Sequence, residues 1–554
     1  MIGKPVDLLW PDLKTKESWY KTHNNTDLPH DFIKDLNIEL IANDIYSANY
    51  NHTVDILSEM CDIPEVINYR LDILEDFLNI PEIEEVITES TDSIYSYRSL
   101  KETKIKNIGS FIDIVNKIDG IENYIECIKK YQDFIEHHGY LVRSEGLKRF
   151  FQTIREIYSD PDFEDLINET KLLREKFVTG VSSISIGINF DRYMRPTEAV
   201  LLSVNNDSYK GKSLLSKIFK QDSHGISTMY IFTPDSKHDG IEAALYNDLK
   251  DLVKEVMQNL STCIKLFNNV HTEFIIDMQS QFNFYMGAAR FIKTLKSHGL
   301  KMCRPVIEEK QKRIFKVKDA TDVSFALKML KNEWQMDLAE SVVPNDIDMD
   351  DNGRIFILTG PNQGGKTTFT RSAGIIQVLA QTGLYVPGSS ARISPVDWIY
   401  THFPKEEVTG FQTSRLAEEC KQFTETFRHA TRYSLILLNE SLSSTTPMES
   451  LYLAEEIVKS MRYLGCRAIY ATHLLDLAHD VDKINDEVEG DSKLISMVAG
   501  ISDGTDTSSG LSGSKYKRTY KVVAAPPLSN SYAKEVAEKY GVSFEKITET
   551  LNSR

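Results

Sequence analysis

The 554-residue sequence predicts an α/β domain in its C-terminal part, preceded by a mainly α-helical region that a small β-containing insert interrupts. Three observations predict this. Arg354-Ile355-Phe356-Ile357-Leu358 is a short apolar run of strand type, followed by a glycine-rich loop and then by apolar residues at helical spacing from Phe369 to Thr382. Leu435-Ile436-Leu437-Leu438 and Ala468-Ile469-Tyr470-Ala471 are two more strand-like runs, each ending in a polar pair. Upstream, Val66 to Leu74 places apolar residues three and four apart, as a helix does.

The loop, Gly360-Pro361-Asn362-Gln363-Gly364-Gly365-Lys366-Thr367, fits the pattern G-x-x-x-x-G-K-[ST] between a strand and a helix N-terminus. Its glycines let backbone N–H groups turn inward around a polyphosphate, and the helix dipole adds favourable partial charge. Lys366 then reaches the β- and γ-phosphates, and the Thr367 hydroxyl serves as a ligand for Mg²⁺. The expected class is a P-loop NTPase with ATP and Mg²⁺ as cofactors. Its nucleotide cradle is Gly360, Pro361, Asn362, Gln363, Gly364, Gly365, Lys366, Thr367 and Thr368. The bland alternative, a glycine-rich turn beside a surface lysine, is disfavoured by the flanking strand and helix.

In chain order, residues 1–40 mix prolines, aromatics and charges and are expected to form an irregular entry that packs on something else. Residues 41–177 read as a helical core, a first lever-like arm. Residues 178–239 form the insert, with Val181 to Ile188 and Ala199 to Val204 as paired strands around a turn at Arg195-Pro196. Residues 240–335 resume the helical core as a second arm, with Leu245, Leu249, Leu252, Val256, Leu260 and Ile264 on one stripe. Within it, residues 290–318 are locally basic and read as a solvated face, with contact to nucleic-acid phosphates as the functional alternative. The nucleotide domain spans 336–554 and contains a Gly/Ser/Thr-rich stretch, Asp503 to Ser514, that reads as a mobile loop.

A formal net charge of −17 excludes a chain coated in basic surface, so any nucleic-acid contact has to come from a local patch or an enclosed channel. The six cysteines contain no C-x-x-C pair and fit buried thiols in a reducing compartment. No stretch approaches the ~18 uninterrupted apolar residues of a membrane span, and a cytoplasmic location is expected.

Leu435 to Glu440 has the form of a Walker B element, with Asn439 where aspartate is usual. In such sites the aspartate holds the water shell of Mg²⁺, and the following glutamate polarises the attacking water. Asn439 still offers a carbonyl to a metal-bound water but no charge, while Glu440 keeps the role of base. His473, after Ala468 to Thr472, falls beside the γ-phosphate as a sensor. The expected catalytic residues are therefore Glu440, Lys366 and His473, and the expected metal-holding residues are Thr367 and, through water, Asn439.

Taken together, these segments resemble the MutS family of DNA mismatch-repair ATPases. Thr359 to Thr368 is similar to that family's phosphate loop. Val343-Pro344-Asn345-Asp346, Gly383-Leu384-Tyr385-Val386-Pro387, Ser441 to Thr446, Thr472-His473 and Ser531-Tyr532-Ala533 with Val536-Ala537 also fit. The resemblance covers about residues 340–545 and extends more weakly into the helical region. It implies an ABC-like ATPase domain, a homodimer through those domains, and a phosphate site completed by a partner's signature segment. That segment maps to Thr413-Ser414-Arg415-Leu416-Ala417-Glu418, with Thr413 or Ser414 as the hydroxyl that reaches across. Arg415 stands where an aromatic is usual.

The family's mismatch-reading domain, with its Phe-x-Glu wedge, is expected to be missing. Phe134-Ile135-Glu136 and Phe423-Thr424-Glu425 match only the letters, in helical contexts. The expected function is an ATP-gated dimeric clamp on DNA, structured or branched, in repair or recombination. The alternatives are an ATP-dependent switch acting on a protein partner, or a nucleotide-binding scaffold with little turnover because of Asn439.

Overall fold

A computed structural model describes residues 6–23, 28–90, 111–175, 183–190, 192–193, 196–205, 260, 262–267, 273–332, 337–361, 363–404, 415–443, 445–503, 516–527 and 540–553. The expectations for Leu245 to Val256, Ser531 to Ala537 and most of the Asp503 to Ser514 stretch lie outside those residues. What is described falls into two compact units. The first comprises Met1–Val6, Pro81–Val142 and Lys148–Gln279, and the second Asp7–Ile80, Arg143–Leu147 and Ser280–Arg554.

In the first unit, the helices Phe111–His138 and Pro161–Arg174 pack together. Asp160 caps the second by accepting the Asp162 N–H at 2.9 Å, and Pro161 occupies the first turn, where no N–H is required. Arg174 bridges Asp119 and Glu122 on the first helix at 2.8 and 2.7 Å. Tyr124, Tyr131 and Phe150 fill the core, with Tyr131 edge-on to Phe150 at 5.3 Å. Strands β1 (Ser183–Phe190) and β2 (Pro196–Asn205) pair antiparallel, Ser183 opposite Asn205.

The second unit carries strands β3 (Met302–Cys303), β4 (Val306–Ile307), β5 (Phe315–Ala320), β6 (Asn345–Met349), β7 (Ile355–Thr359), β8 (Val386–Pro387), β9 (Ser390–Ile393), β10 (Ile399–His402), β11 (Leu435–Asn439), β12 (Arg467–Ala471), β13 (Leu494–Asp503) and β14 (Tyr516–Ala524). The main sheet runs β10-β11-β12-β7-β13-β14, parallel except for β14. Every residue of β7, β11 and β12 is buried, which is why these strands read as unbroken apolar runs. A second sheet runs β4-β9-β5-β6.

This second sheet bears on the reading of residues 290–318. β5 alternates, turning Phe315 and Val317 inward and Lys316 and Lys318 outward, and it pairs with β6, where aspartates alternate in turn. Lys316 meets Asp348 and Asp350 at 2.9 and 2.5 Å, and Lys318 meets Asp346 at 2.9 Å, as cross-strand ion pairs. Lys301 pairs with Asp319, Arg304 with Asp72 and Glu75, Lys310 with Asp62, Lys312 with Glu308 and Arg313 with Asp491. Lys301, Arg304, Lys310, Lys312, Arg313, Lys316 and Lys318 are thus paired with carboxylates within the chain.

The N-terminal residues are more regular than their composition indicates. Asp12 caps the helix Leu13–Thr22 by accepting the Thr15 N–H at 2.8 Å, and Asp31–Asp35 is helical. Trp10 is buried beneath the Arg70 guanidinium, and the Trp398 indole donates to the Pro29 carbonyl at 3.0 Å.

The helix Lys366–Thr382 is wedged between this N-terminal layer and the sheet. At Gly374 a Cβ would lie 2.6 Å from a Leu36 methyl and 2.8 Å from a Leu437 methyl, so a larger residue there would force those side chains to shift. Further along, the Gln381 amide donates to the Cys61 and Val396 carbonyls at 3.0 Å each and accepts the Val396 N–H at 2.8 Å. Cys61, Cys127, Cys263 and Cys466 are buried and Cys303 and Cys420 half-buried. Burial pushes the Cys127 and Cys466 thiols up to about 12. Among the described residues, no helix is long and apolar enough to cross a membrane.

Candidate nucleotide-binding site

β7 delivers the chain to Gly360, whose φ of +142° requires glycine; a Cβ there would lie 2.8 Å from that of Ala499. The Pro361 carbonyl accepts the Gly364 N–H at 3.0 Å, Gln363 takes a left-handed φ of +60°, and Gly365, at +97°, turns the chain into the helix Lys366–Thr382. Residues 363–369 form one wall of a cavity of about 390 Å³. The Lys366 ammonium is buried and donates to the Gly360 and Pro361 carbonyls at 2.9 and 3.3 Å, with the Glu440 carboxylate 3.9 Å away. Burial holds that ammonium below the usual lysine range, and Glu440 acts in the opposite sense.

The strand ends supply the remaining groups. At the end of β11, buried Asn439 accepts the Thr367 hydroxyl at 3.0 Å through its side-chain carbonyl. Glu440 follows with φ +50°, and its carboxylate lies 2.9 Å from His473 Nε2. That contact holds the Glu440 carboxyl below the usual glutamate range, against burial, which raises it. Backbone bonds from Glu440 N–H to the Ala471 carbonyl (2.8 Å) and from Thr472 N–H to the Leu358 carbonyl (2.9 Å) keep the ends of β7, β11 and β12 in one row. Lys366, Thr367, Asn439, Glu440 and His473 are thus brought together. Asn362, Thr413 and Ser414 lie outside the described residues.

The opposite wall was not found by sequence reasoning. It includes Thr321, Asp322, Phe325, Val343, Asn345 and Tyr520. Asn345 holds β14 by donating to the Tyr520 carbonyl at 3.0 Å and accepting the Val522 N–H at 2.8 Å. The Val-Pro-Asn-Asp segment was visible, but a contact spanning 177 residues leaves no local spacing signal. Both Phe-x-Glu tripeptides are helical and bury their phenylalanines, Phe134 at 5% and Phe423 at 6% exposure, so neither ring is free to insert elsewhere.

A glycine-rich turn between a buried parallel strand and a helix, with polar residues closing the neighbouring strands, defines a domain of the P-loop type at the carboxyl ends of its sheet. Two family models match the chain: MutS domain V over residues 356–542 and MutS2 N-terminal domain over residues 62–298. A protein from Lactobacillus gasseri named DNA mismatch repair protein MutS is 25% identical over 414 residues, covering 70% of this chain and 42% of that protein. Proteins of the same name from Macrococcus caseolyticus and Thermotoga neapolitana are each 26% identical, covering 59% and 57% of this chain and 37% of their own lengths. Together these matches support a divergent member of the MutS/MutS2 family. It spans about two fifths of the length of the curated relatives it matches.

Proposed function

We propose that the chain binds and hydrolyses ATP and uses the nucleotide to gate a homodimeric clamp on DNA in the cytoplasm. The observation that carries the ATP part is the convergence of Lys366, the Thr367–Asn439 pair and the Glu440–His473 pair beside one cavity. Lys366 binds the β- and γ-phosphates, and residues Gly360 to Thr368 cradle them. The oxygen donors of Thr367 and, through water, Asn439 suit a hard cation, and these residues would hold Mg²⁺, which when bound offsets triphosphate charge. Glu440 takes the proton of the attacking water, and His473 orients Glu440 and senses the γ-phosphate.

A pH dependence follows. The Glu440 carboxyl is held low by His473, so the base form is present above that lowered value and is lost as pH falls through it. In His473→Ala the lowering contact disappears while burial still raises the carboxyl. The acid limb of kcat should therefore move to higher pH; an unmoved limb would contradict the pairing.

The DNA part rests on kinship with proteins named for DNA mismatch repair. Thr413 or Ser414 of each subunit completes the other subunit's phosphate site. The DNA proposed is structured or branched. A panel of duplex, mismatched and four-way DNA with ADP or ATP tests this, and affinity should fall steeply with rising salt. DNA binding undetectable at low salt with either nucleotide overturns it. Two observations favour a second reading, a switch acting on a protein partner: the chain carries −17, and the cations from Lys301 to Lys318 in its basic stretch are paired with carboxylates of the chain itself. Crosslinking that recovers protein and no nucleic acid selects that reading.

A further inference from the structure

We propose that Glu419 is a positioning residue for hydrolysis: by accepting the Leu442 amide, its carboxylate fixes the turn that aims Glu440. The inference rests on the ATPase reading and concerns a residue outside the phosphate loop and the strand ends. Glu440 and Leu442 both hold left-handed φ values, +50° and +63°, on either side of Ser441. Side chains with a Cβ adopt this conformation rarely, and two so close together persist only where the surroundings over-determine them.

Several contacts do so. The Ser441 hydroxyl lies 2.8 Å from His402 Nδ1, and the Tyr470 hydroxyl donates to the Ser441 carbonyl at 3.3 Å. The Ser450 hydroxyl donates to the Leu442 carbonyl at 2.7 Å, and the Leu442 N–H donates to Glu419 Oε2 at 2.9 Å. Glu419 is 6% exposed and Leu442 fully buried, so this is a shielded bond between a carboxylate and a backbone amide, stronger than one between neutral groups. Burial, with Glu419 nearby, pushes the Tyr470 phenol above its usual range, keeping it a donor to the same turn.

Glu419 lies in the helix Arg415–His429, whose first four residues belong to the signature segment, and directly follows that segment's last residue, Glu418. Its reach to Leu442 fastens that helix to the residue two past Glu440. Removing the carboxylate leaves the Leu442 N–H without its acceptor and lets the turn relax, which displaces the Glu440 carboxylate relative to the attacking water. A displacement near 1 Å costs on the order of 10²-fold in rate.

The test compares Glu419→Ala and Glu419→Gln with the native chain by Mg·ATP affinity, kcat and hydrogen exchange at the Leu442 amide. Glu419→Ala should bind Mg·ATP within about twofold of native, lose about 10²-fold in kcat and exchange the Leu442 amide faster. Glu419→Gln keeps a carbonyl acceptor and should restore most of the rate and the protection. Native kcat in Glu419→Ala, or unchanged exchange at Leu442, overturns the inference alone. Parallel loss of ATP affinity and turnover in both variants assigns Glu419 to folding and also overturns it. Absence of turnover in the native chain overturns the ATPase reading and this inference together.

Discussion

Glu440→Gln should bind Mg·ATP within about twofold of the native affinity and hydrolyse it about 10²–10⁴-fold more slowly, the usual range for loss of a positioned base. Glutamine keeps the size and the hydrogen-bonding oxygen of Glu440 but cannot accept a proton at working pH. The groups assigned to the phosphates are elsewhere: Lys366 is held by the Gly360 and Pro361 carbonyls, and Thr367 bonds Asn439. Binding and turnover should therefore separate. Single-turnover hydrolysis beside an equilibrium nucleotide titration checks this, and a variant with native turnover would remove Glu440 from the chemistry and favour the scaffold reading of Asn439.

Lys366→Ala should act at the earlier step. The Lys366 ammonium is buried with backbone carbonyls as its close partners and the Glu440 carboxylate 3.9 Å off. Its charge there is already disfavoured by burial. An incoming polyphosphate adds negative charge to that of Glu440, so truncation removes a buried, charge-assisted contact worth about 2–5 kcal/mol, or roughly 30-fold to several thousand-fold in affinity. Stability reports the same loss independently. At a Mg·ATP concentration about 100 times Kd, the native chain should gain about 2.7 kcal/mol from ligand binding, and Lys366→Ala at that concentration far less. A melting experiment with and without nucleotide measures it.

Much of the P-loop core was legible because its physics is local. β7, β11 and β12 are buried along their whole length, so they appear as apolar runs, and their polar ends mark the face where a ligand sits. The loop was legible because Gly360 and Gly365 occupy positive φ. The turn after β11 was not, since Glu440 and Leu442 hold the same region without glycine and leave no trace in composition. β5 was hidden inside a basic run because its lysines occupy alternate outward positions, and their partners on β6 lie about thirty residues downstream. The Glu419 contact spans 23 residues between a helix and a turn, a separation no periodicity encodes.

Calorimetric titration of the native chain and of Lys366→Ala with Mg·ATP addresses the phosphate cradle directly. Saturable binding by the native chain, weakened at least 30-fold in the variant, is the predicted result. A native chain that takes up no nucleotide, or a variant that binds it equally well, would contradict the assignment of Lys366 and Thr367 to a magnesium-bound triphosphate.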